Sequence, residues 1–238
     1  MGMAHSGTAQ RALAIVVDDD AAVRDALEEL LNSVGLETIS FSSGQEFLDA
    51  KLPDRPGCIV LDVRMPGLSG LDLQQLLATK GIFTPIVFLT GHGDIAMSVQ
   101  AMKAGAVDFL TKPVRDQTLL DAVSAAIAAD VARRAVSSES IKSIGLYETL
   151  TTRERQVLHL VIAGAANKKI AFDLGISEIT VKLHRSNMMK KMGASSITQL
   201  YGVWQSLPAH IRALPVEDVA ADARRIGAPP VARVSSPT

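Results

Sequence analysis

The chain has 238 residues, 47% hydrophobic and 21% charged, an ordinary globular composition with room for roughly two domains. Its single cysteine, Cys58, excludes an internal disulfide and any cysteine-built zinc site; at the start of an apolar run it reads as a small core residue. The net charge of −1 hides an asymmetry. Residues 1–129 carry 16 acidic against 9 basic side chains and residues 130–210 carry 6 against 11, which suggests cation handling in the first part and an anionic partner, such as nucleic acid, for the second. Met1–Arg11 has no apolar centre of the kind a signal peptide needs, and no apolar run approaches the ~18 residues of a membrane helix. A soluble cytoplasmic protein is expected.

Leu13–Val17 is short, apolar and β-branched, so a buried strand is predicted, ending at Asp18-Asp19-Asp20. Val23, Ala26, Leu27, Leu30 and Leu31 recur at helical spacing, and Gly35 closes that helix. Glu37–Phe41 is a second strand, Ser43–Ala50 a short helix, Cys58–Leu61 a third strand and Leu71–Thr79 a helix. Ile86–Leu89 is a fourth strand ending at Thr90, followed by the loop Gly91-His92-Gly93 and a helix over Ile95–Ala104. Val107–Leu110 is the fifth strand, ending at Thr111-Lys112-Pro113. A long helix starts near Gln117 and keeps Leu119, Val123, Ile127 and Val131 on one face, with Arg133-Arg134 in its last turn. Ser137-Ser138-Glu139-Ser140 reads as a linker. Five alternations of strand and helix predict an α/β fold, a doubly wound parallel sheet with helices on both faces.

In such a sheet ligands collect outside the carboxyl ends of the strands. Asp18 to Asp20, Asp62, Thr90 and Lys112 all reach that edge. Carboxylates gathered there repel one another, and a hard cation relieves the repulsion; Mg²⁺ suits few carboxylates, retained waters and phosphate oxygens. A carboxylate beside Mg²⁺ can attack a phosphoryl donor, with Thr90 donating to a phosphoryl oxygen and Lys112 supplying positive charge. The plainer reading of Asp18–Asp20 is that they cap the following helix. No Walker motif occurs.

Ile15–Asp20, Ile59–Gly70, Thr90–Asp94 and Ala101–Pro113 resemble the receiver domain of two-component response regulators, and Gly91–Asp94 with Ala101–Phe109 resemble the FixJ-like branch of the NarL/FixJ family. The resemblance covers residues 12–129. It implies a CheY-like receiver with Asp62 as phosphoacceptor, metal held by Asp19 with Asp18, Asp62 and the backbone carbonyl of Arg64, and Thr90, Phe109 and Lys112 as switch and phosphoryl-binding residues. It also implies a cis Lys112–Pro113 bond.

In the basic part, Thr151-Thr152-Arg153-Glu154 has capping-box spacing. Val157, Leu158, Val161 and Ile162 form one apolar face, stopped by Gly164. Asn167 is expected to cap a second helix, Lys168–Leu174, and Ser177 a third, Glu178–Met192. Two helices joined through Gly175 read as helix-turn-helix. At ~100° per residue, Val181, His184, Met188 and Met192 face the core while Lys182, Leu183, Ser186 and Lys190 face out, where Lys and Ser can read base edges and Leu a thymine methyl. Arg185 on the flank, with Lys168 and Lys169, suits phosphates; Thr180 completes the DNA-binding candidates. His184 has no second His or Cys at metal spacing and reads as a core residue.

Leu150–Gly164, Asn167–Ser186 and Met189–Gly193 resemble the LuxR-type four-helix DNA-binding domain, over residues 147–210, with a fourth helix near Ser196–Ser206 packed through Ile197, Leu200, Val203 and Trp204. The expected organisation is a receiver (12–129), a linker helical at its start (130–146), a DNA-binding domain (147–210) and a partly disordered tail (211–238) in which Val216–Ile226 can form one helix. The resemblance implies a transcription factor, not an enzyme beyond its own phosphotransfer. A histidine kinase would phosphorylate Asp62 with Mg²⁺, the receiver would form a homodimer, and the dimer would bind double-stranded promoter DNA, with RNA polymerase as a further contact. Two rivals stand beside it: a phosphoaspartate phosphatase of the haloacid-dehalogenase type using Asp18, and a regulator that binds DNA without phosphorylation.

Overall fold

A computed structural model describes residues 11–91 and 94–216. The chain divides into two compact units between Arg134 and Ala135. The first contains β1 (Leu13–Val17), α1 (Ala21–Ser33), β2 (Glu37–Phe41), α2 (Gly44–Asp49), β3 (Gly57–Leu61), α3 (Gly70–Thr79), β4 (Ile86–Thr90), α4 (Ile95–Lys103) and β5 (Asp108–Thr111). All five strands pair in parallel in the order β2-β1-β3-β4-β5. Because successive side chains of a strand point to opposite faces, the sheet has two cores. Ile15, Val17, Ile59, Leu61 and Phe88 fill one, with Leu73 and Leu77 of α3. Ala14, Val16, Cys58, Val60, Val87 and Leu89 fill the other, with Leu27 and Leu31 of α1. Cys58 is fully buried as expected, and burial pushes its thiol up to about 12.

The helix expected to end near Arg134 does not end there. α5 runs Asp116–Glu148, and the Ser137–Ser140 stretch expected to break it is helical. The physical reason is cooperativity. Serine costs only a few tenths of a kcal/mol relative to alanine, no Gly or Pro intervenes between 116 and 144, and a helix packed at both ends propagates through a weak middle. Leu119, Ala122, Val123, Ala126 and Asp130 are buried on one side of its first part, and Ser143 and Tyr147 near its end, while no residue from 131 to 142 is. Arg133 and Arg134 therefore sit mid-helix. Both bind the buried Asp130, at 2.5 and 2.8 Å, and the other donor on Asp130 is the Gly57 backbone N–H that opens β3, at 3.1 Å.

The second unit holds α6 (Thr152–Ile162), α7 (Asn167–Leu174), α8 (Glu178–Lys191), α9 (Ile197–Gln205) and the short α10 (Ala209–Arg212). The expected capping box closes α6 through Thr151 and Glu154. Gly175, in the left-handed region at φ +64°, ends α7, and Ser177 caps α8. Val157, Leu158, Ile170, Val181, Met188, Met192, Leu200 and Trp204 form one core. Two expectations fail here. Asn167 does not cap α7: Ala166 holds the cap position without a side-chain bond, and the Asn167 Oδ1 accepts from Arg185 Nη1 at 3.0 Å. Ile197 stays 45% exposed, since Leu200 and Trp204 already fill the space under α9. Of the tail, the helix expected over Val216–Ile226 lies outside the described residues past Val216, as do His92, Gly93 and Gly227–Thr238.

Candidate functional site

The strand order reverses between β1 and β3, and the carboxyl edge there is where an α/β sheet takes ligands. Asp18 and Asp62 follow those two strands directly, Thr90 is the last residue of β4, and Lys112 follows β5. All but Lys112 are nearly inaccessible: Asp18 is 3%, Asp62 7% and Thr90 1% exposed. The Lys112 ammonium lies 2.5 Å from Asp18 Oδ2 and 3.9 Å from Asp62 Oδ1. Asp18 also accepts the Asp20 backbone N–H at 3.0 Å, and its carbonyl accepts Arg24 Nη1 at 2.7 Å. Its carboxylate is thus committed. Asp62 is held by weaker means: the Arg64 backbone N–H donates to Oδ2 at 3.1 Å, and the Thr90 hydroxyl contributes a further bond.

The result is electrostatic imbalance. Burial pushes the Asp62 carboxyl above its ordinary range, and Asp18 adds to that push. Lys112, Thr90 and the Arg64 N–H offset it only in part. A buried carboxylate left under-compensated is chemically poised, because any incoming cation or polarised electrophile relieves it.

The loop behind Asp62 explains why glycines occur there. A Cβ on Gly70 would lie 2.2 Å from the Asp62 carbonyl oxygen, so only glycine lets α3 start this close to the strand end. Gly67 takes φ +80° in the same turn.

Not every expected residue joins the cluster. Asp19 is solvent-exposed, and Asp20 caps α1 by accepting the Ala22 N–H, so the capping expectation holds for Asp20 alone. Among the described residues no three acidic, His or Cys side chains converge as a metal cluster. The donor set that the fold does bring together is two buried carboxylates, a meagre set that suits Mg²⁺ with waters better than a protein-caged ion. Arg64 points outward while its N–H serves Asp62. Phe109 is half-buried, its ring 5.8 Å from that of Phe88. The Lys112–Pro113 bond is cis, as expected.

In the second unit, Lys182, Leu183, Ser186 and Lys190 are exposed on α8, opposite the fully buried Val181, Met188 and Met192. The helical-wheel expectation holds, although His184 is only half-buried. Lys168 and Lys169 are exposed at the start of α7; Lys169 pairs with Asp173 at 2.7 Å and lies over the Phe172 ring. Thr180 is partly exposed, its hydroxyl 2.9 Å from that of Ser177. Arg185 is tied to Asn167, across the helix-turn-helix. Ile179 escaped the sequence reading, although it stands one turn before Leu183 and is 79% exposed; the signal was there in the (i, i+4) spacing of two aliphatics on an otherwise polar face.

Residues 14–124 match the response regulator receiver domain, and residues 148–204 match the bacterial regulatory proteins of the luxR family. Nodulation protein W of Bradyrhizobium diazoefficiens is 50% identical over 203 residues, covering 85% of this chain and 89% of its own. The response regulator protein TmoT of Ectopseudomonas mendocina is 46% identical over 83% of this chain and 90% of its own. The solved structure of the response regulator StyR is 45% identical, covers 82% of this chain and 98% of its own, and superposes with a TM-score of 0.75. A match along the receiver sets aside the phosphatase alternative built on Asp18. A parallel-sheet receiver followed by a LuxR-type helix-turn-helix unit, with relatives of this kind along most of its length, places the chain among the transcriptional response regulators of the NarL/FixJ family.

Proposed function

We propose that Asp62 accepts a phosphoryl group from a sensor histidine kinase and that this event controls promoter binding by the second unit. The observation that carries the reading is the under-compensated Asp62 at the carboxyl edge, with Lys112 3.9 Å away and the Thr90 hydroxyl beside it. An Asp62 oxygen attacks phosphorus, the bond from phosphorus to the donor histidine nitrogen breaks, and an acyl phosphate forms. Lys112, now shared between Asp18 and Asp62, is the cation that would turn to the new phosphoryl oxygens. Thr90 would donate to one of them. Asp62 and Asp18, with the solvent-exposed Asp19 and the Arg64 carbonyl as further donors, would hold Mg²⁺, which would supply positive charge beside the transferring group.

On the domain boundaries 12–129, 130–146 and 147–210, the phosphorylated receiver pairs with a second copy. Phe109, packed beside Phe88, is the aromatic whose rearrangement would report the change at Thr90. Dimerisation sets two α8 helices on half-sites about one helical turn apart. Lys182, Leu183, Ser186 and Lys190 face base edges, and Lys168, Lys169, Thr180 and Arg185 face the backbone. The logic is population shift: phosphate, dimer and DNA favour the same state and so favour one another. Such a regulator works in the cytoplasm beside RNA polymerase.

The test is to incubate the full chain with Mg²⁺ and acetyl phosphate and to locate the acid-labile phosphate by mass spectrometry. Label on Asp62, absent from Asp62→Asn, is expected. Label elsewhere, or none in a folded chain, removes the reading.

A further inference from the structure

Fourteen large hydrophobic side chains are exposed among the described residues, and two of them stand together on α8: Ile179 at 79% and Leu183 at 59%. Single exposed aliphatics are ordinary. These two are not single. They are four residues apart, so they lie one above the other on the helix, and at ~100° per residue both fall within about 40° of the direction opposite Val181. The core has no call on that direction, because Val181, Met188 and Met192 already fill the inner side at 0% exposure. The neighbours sharing the outer direction are Ser186 and Lys190, with Lys182 on its flank, all exposed. An apolar pair framed by cations and a hydroxyl is a poor match to a protein or lipid partner and a good one to the floor of a major groove. There the thymine C5-methyl is the apolar feature, the phosphates on either side attract the lysines, and base edges take the hydroxyl and ammonium groups.

We propose that Ile179 is a specificity-determining residue and that, with Leu183, it reads two thymine methyl groups. The inference rests on α8 being the DNA-reading helix. Ile179 lies in the first turn of α8, two residues after the Ser177 cap, and the first turns of a recognition helix are those that meet base edges. Four residues of helix rise about 6 Å, close to two base steps of roughly 3.4 Å. The half-site therefore carries thymines at positions about two steps apart, on either strand. Among the described residues Ile179 takes no part in the α8 cap and belongs to no buried cluster, and it carries no charge. Its consequence is confined to which base is accepted.

The experiment uses the full chain, phosphorylated with acetyl phosphate, and the duplex it selects from a random pool. Each thymine of the half-site is replaced in turn by uracil, which removes the methyl group alone. At the Ile179 position this should weaken binding about fourfold, the worth of one buried methyl. Ile179→Ala should weaken binding to the thymine duplex by a similar factor or somewhat more, and should no longer distinguish uracil from thymine there. Leu183→Ala should do the same at the second position only. The slope of binding against salt should be unchanged in both. Since Ile179 is exposed, the thermal unfolding of Ile179→Ala should match that of the parent. Lys182→Ala separates the two levels of the argument. If it relaxes sequence preference while Ile179→Ala keeps a full uracil penalty at every position, Ile179 reads no methyl and the proposal fails alone. If none of the three variants alters preference, α8 is not the reading helix and both readings fail. If Ile179→Ala lowers transcription in a purified system without any change in DNA affinity or uracil penalty, the pair contacts a protein and the proposal is overturned.

Discussion

The two ends of β3 hold buried carboxylates under opposite terms. At its start, Asp130 of α5 is fully buried and fully served: burial would raise its carboxyl, but Arg134, Arg133 and the Gly57 N–H hold it below the usual carboxylate range. At its finish, Asp62 is nearly as buried, faces a like charge in Asp18, and its carboxyl stands above that range. The strand between them is five residues long and wholly apolar. The difference teaches where to look for chemistry. A buried charge that its neighbours satisfy can serve as scaffolding, and one that they offset only in part is where a site is proposed. The second unit repeats the contrast in another form. Glu154, buried and paired with Lys191 at 2.7 Å, is scaffolding, whereas the apolar pair on α8 stays exposed among the described residues.

The comparison is broken or sharpened by substitution. The largest effect is expected at Asp130. Asp130→Ala strands the buried Gly57 N–H and takes a carboxylate from Arg133, which is partly exposed, and from Arg134, which keeps Asp54; it should cost the first unit about 3 kcal/mol in urea unfolding, and a loss under about 0.5 kcal/mol would show that the bonds counted as scaffolding support nothing.

Next comes the pH response of the second unit. His159 is buried against the Trp204 ring at 4.7 Å and lies 3.3 Å from the Tyr147 hydroxyl, and burial lowers it to about 4. Its folded value lies below its unfolded one, so its contribution is complete above about pH 6.5 and is lost as pH falls toward 4. About 2 kcal/mol should go between pH 7 and pH 4.5, and His159→Gln should lack that part of the slope.

Asp62 should behave in the opposite sense to Asp130. Without divalent cation, Asp62→Asn removes a poorly compensated buried charge and should stabilise the first unit by about 1 kcal/mol, shifting its melting by a few degrees. Destabilisation instead would mean that Asp62 is scaffolding after all. Smallest is the DNA side. Lys168→Ala should lower the salt slope of binding by about one and leave sequence preference intact, while Lys182→Ala relaxes preference.

The sheet and the cluster at its edge were legible because parallel strands reveal their carboxyl ends: Asp18, Asp62 and Thr90 stand where an apolar run stops, and Lys112 two residues past Leu110. The wheel of α8 was legible for the same local reason, a period of 3.6. What was not legible is what depends on partners far along the chain. Asp130 meets Gly57 across 73 residues and nothing near it in sequence announces that. Asn167 looked like a cap and was claimed by Arg185, 18 residues on. The Ser137–Ser140 stretch looked like a break because its composition is that of a linker, and helical continuity is decided by the turns on either side. Asp19 reads as the main metal carboxylate with help from Asp18, yet Asp19 is exposed and Asp18 only 3% so, since the strand's last inward direction falls on Asp18.

The central claim is that the under-compensated carboxylate at Asp62 governs DNA binding by a unit that begins beyond Arg134. The most direct measurement is the affinity of the full chain for its selected duplex, at fixed salt, with and without acetyl phosphate and Mg²⁺, in the parent and in Asp62→Asn. At least a tenfold tightening on phosphorylation, about 1.4 kcal/mol of coupling, is expected in the parent and none in Asp62→Asn. Equal affinity in all four states, with both chains folded, would contradict the account and leave a regulator that binds DNA without phosphorylation.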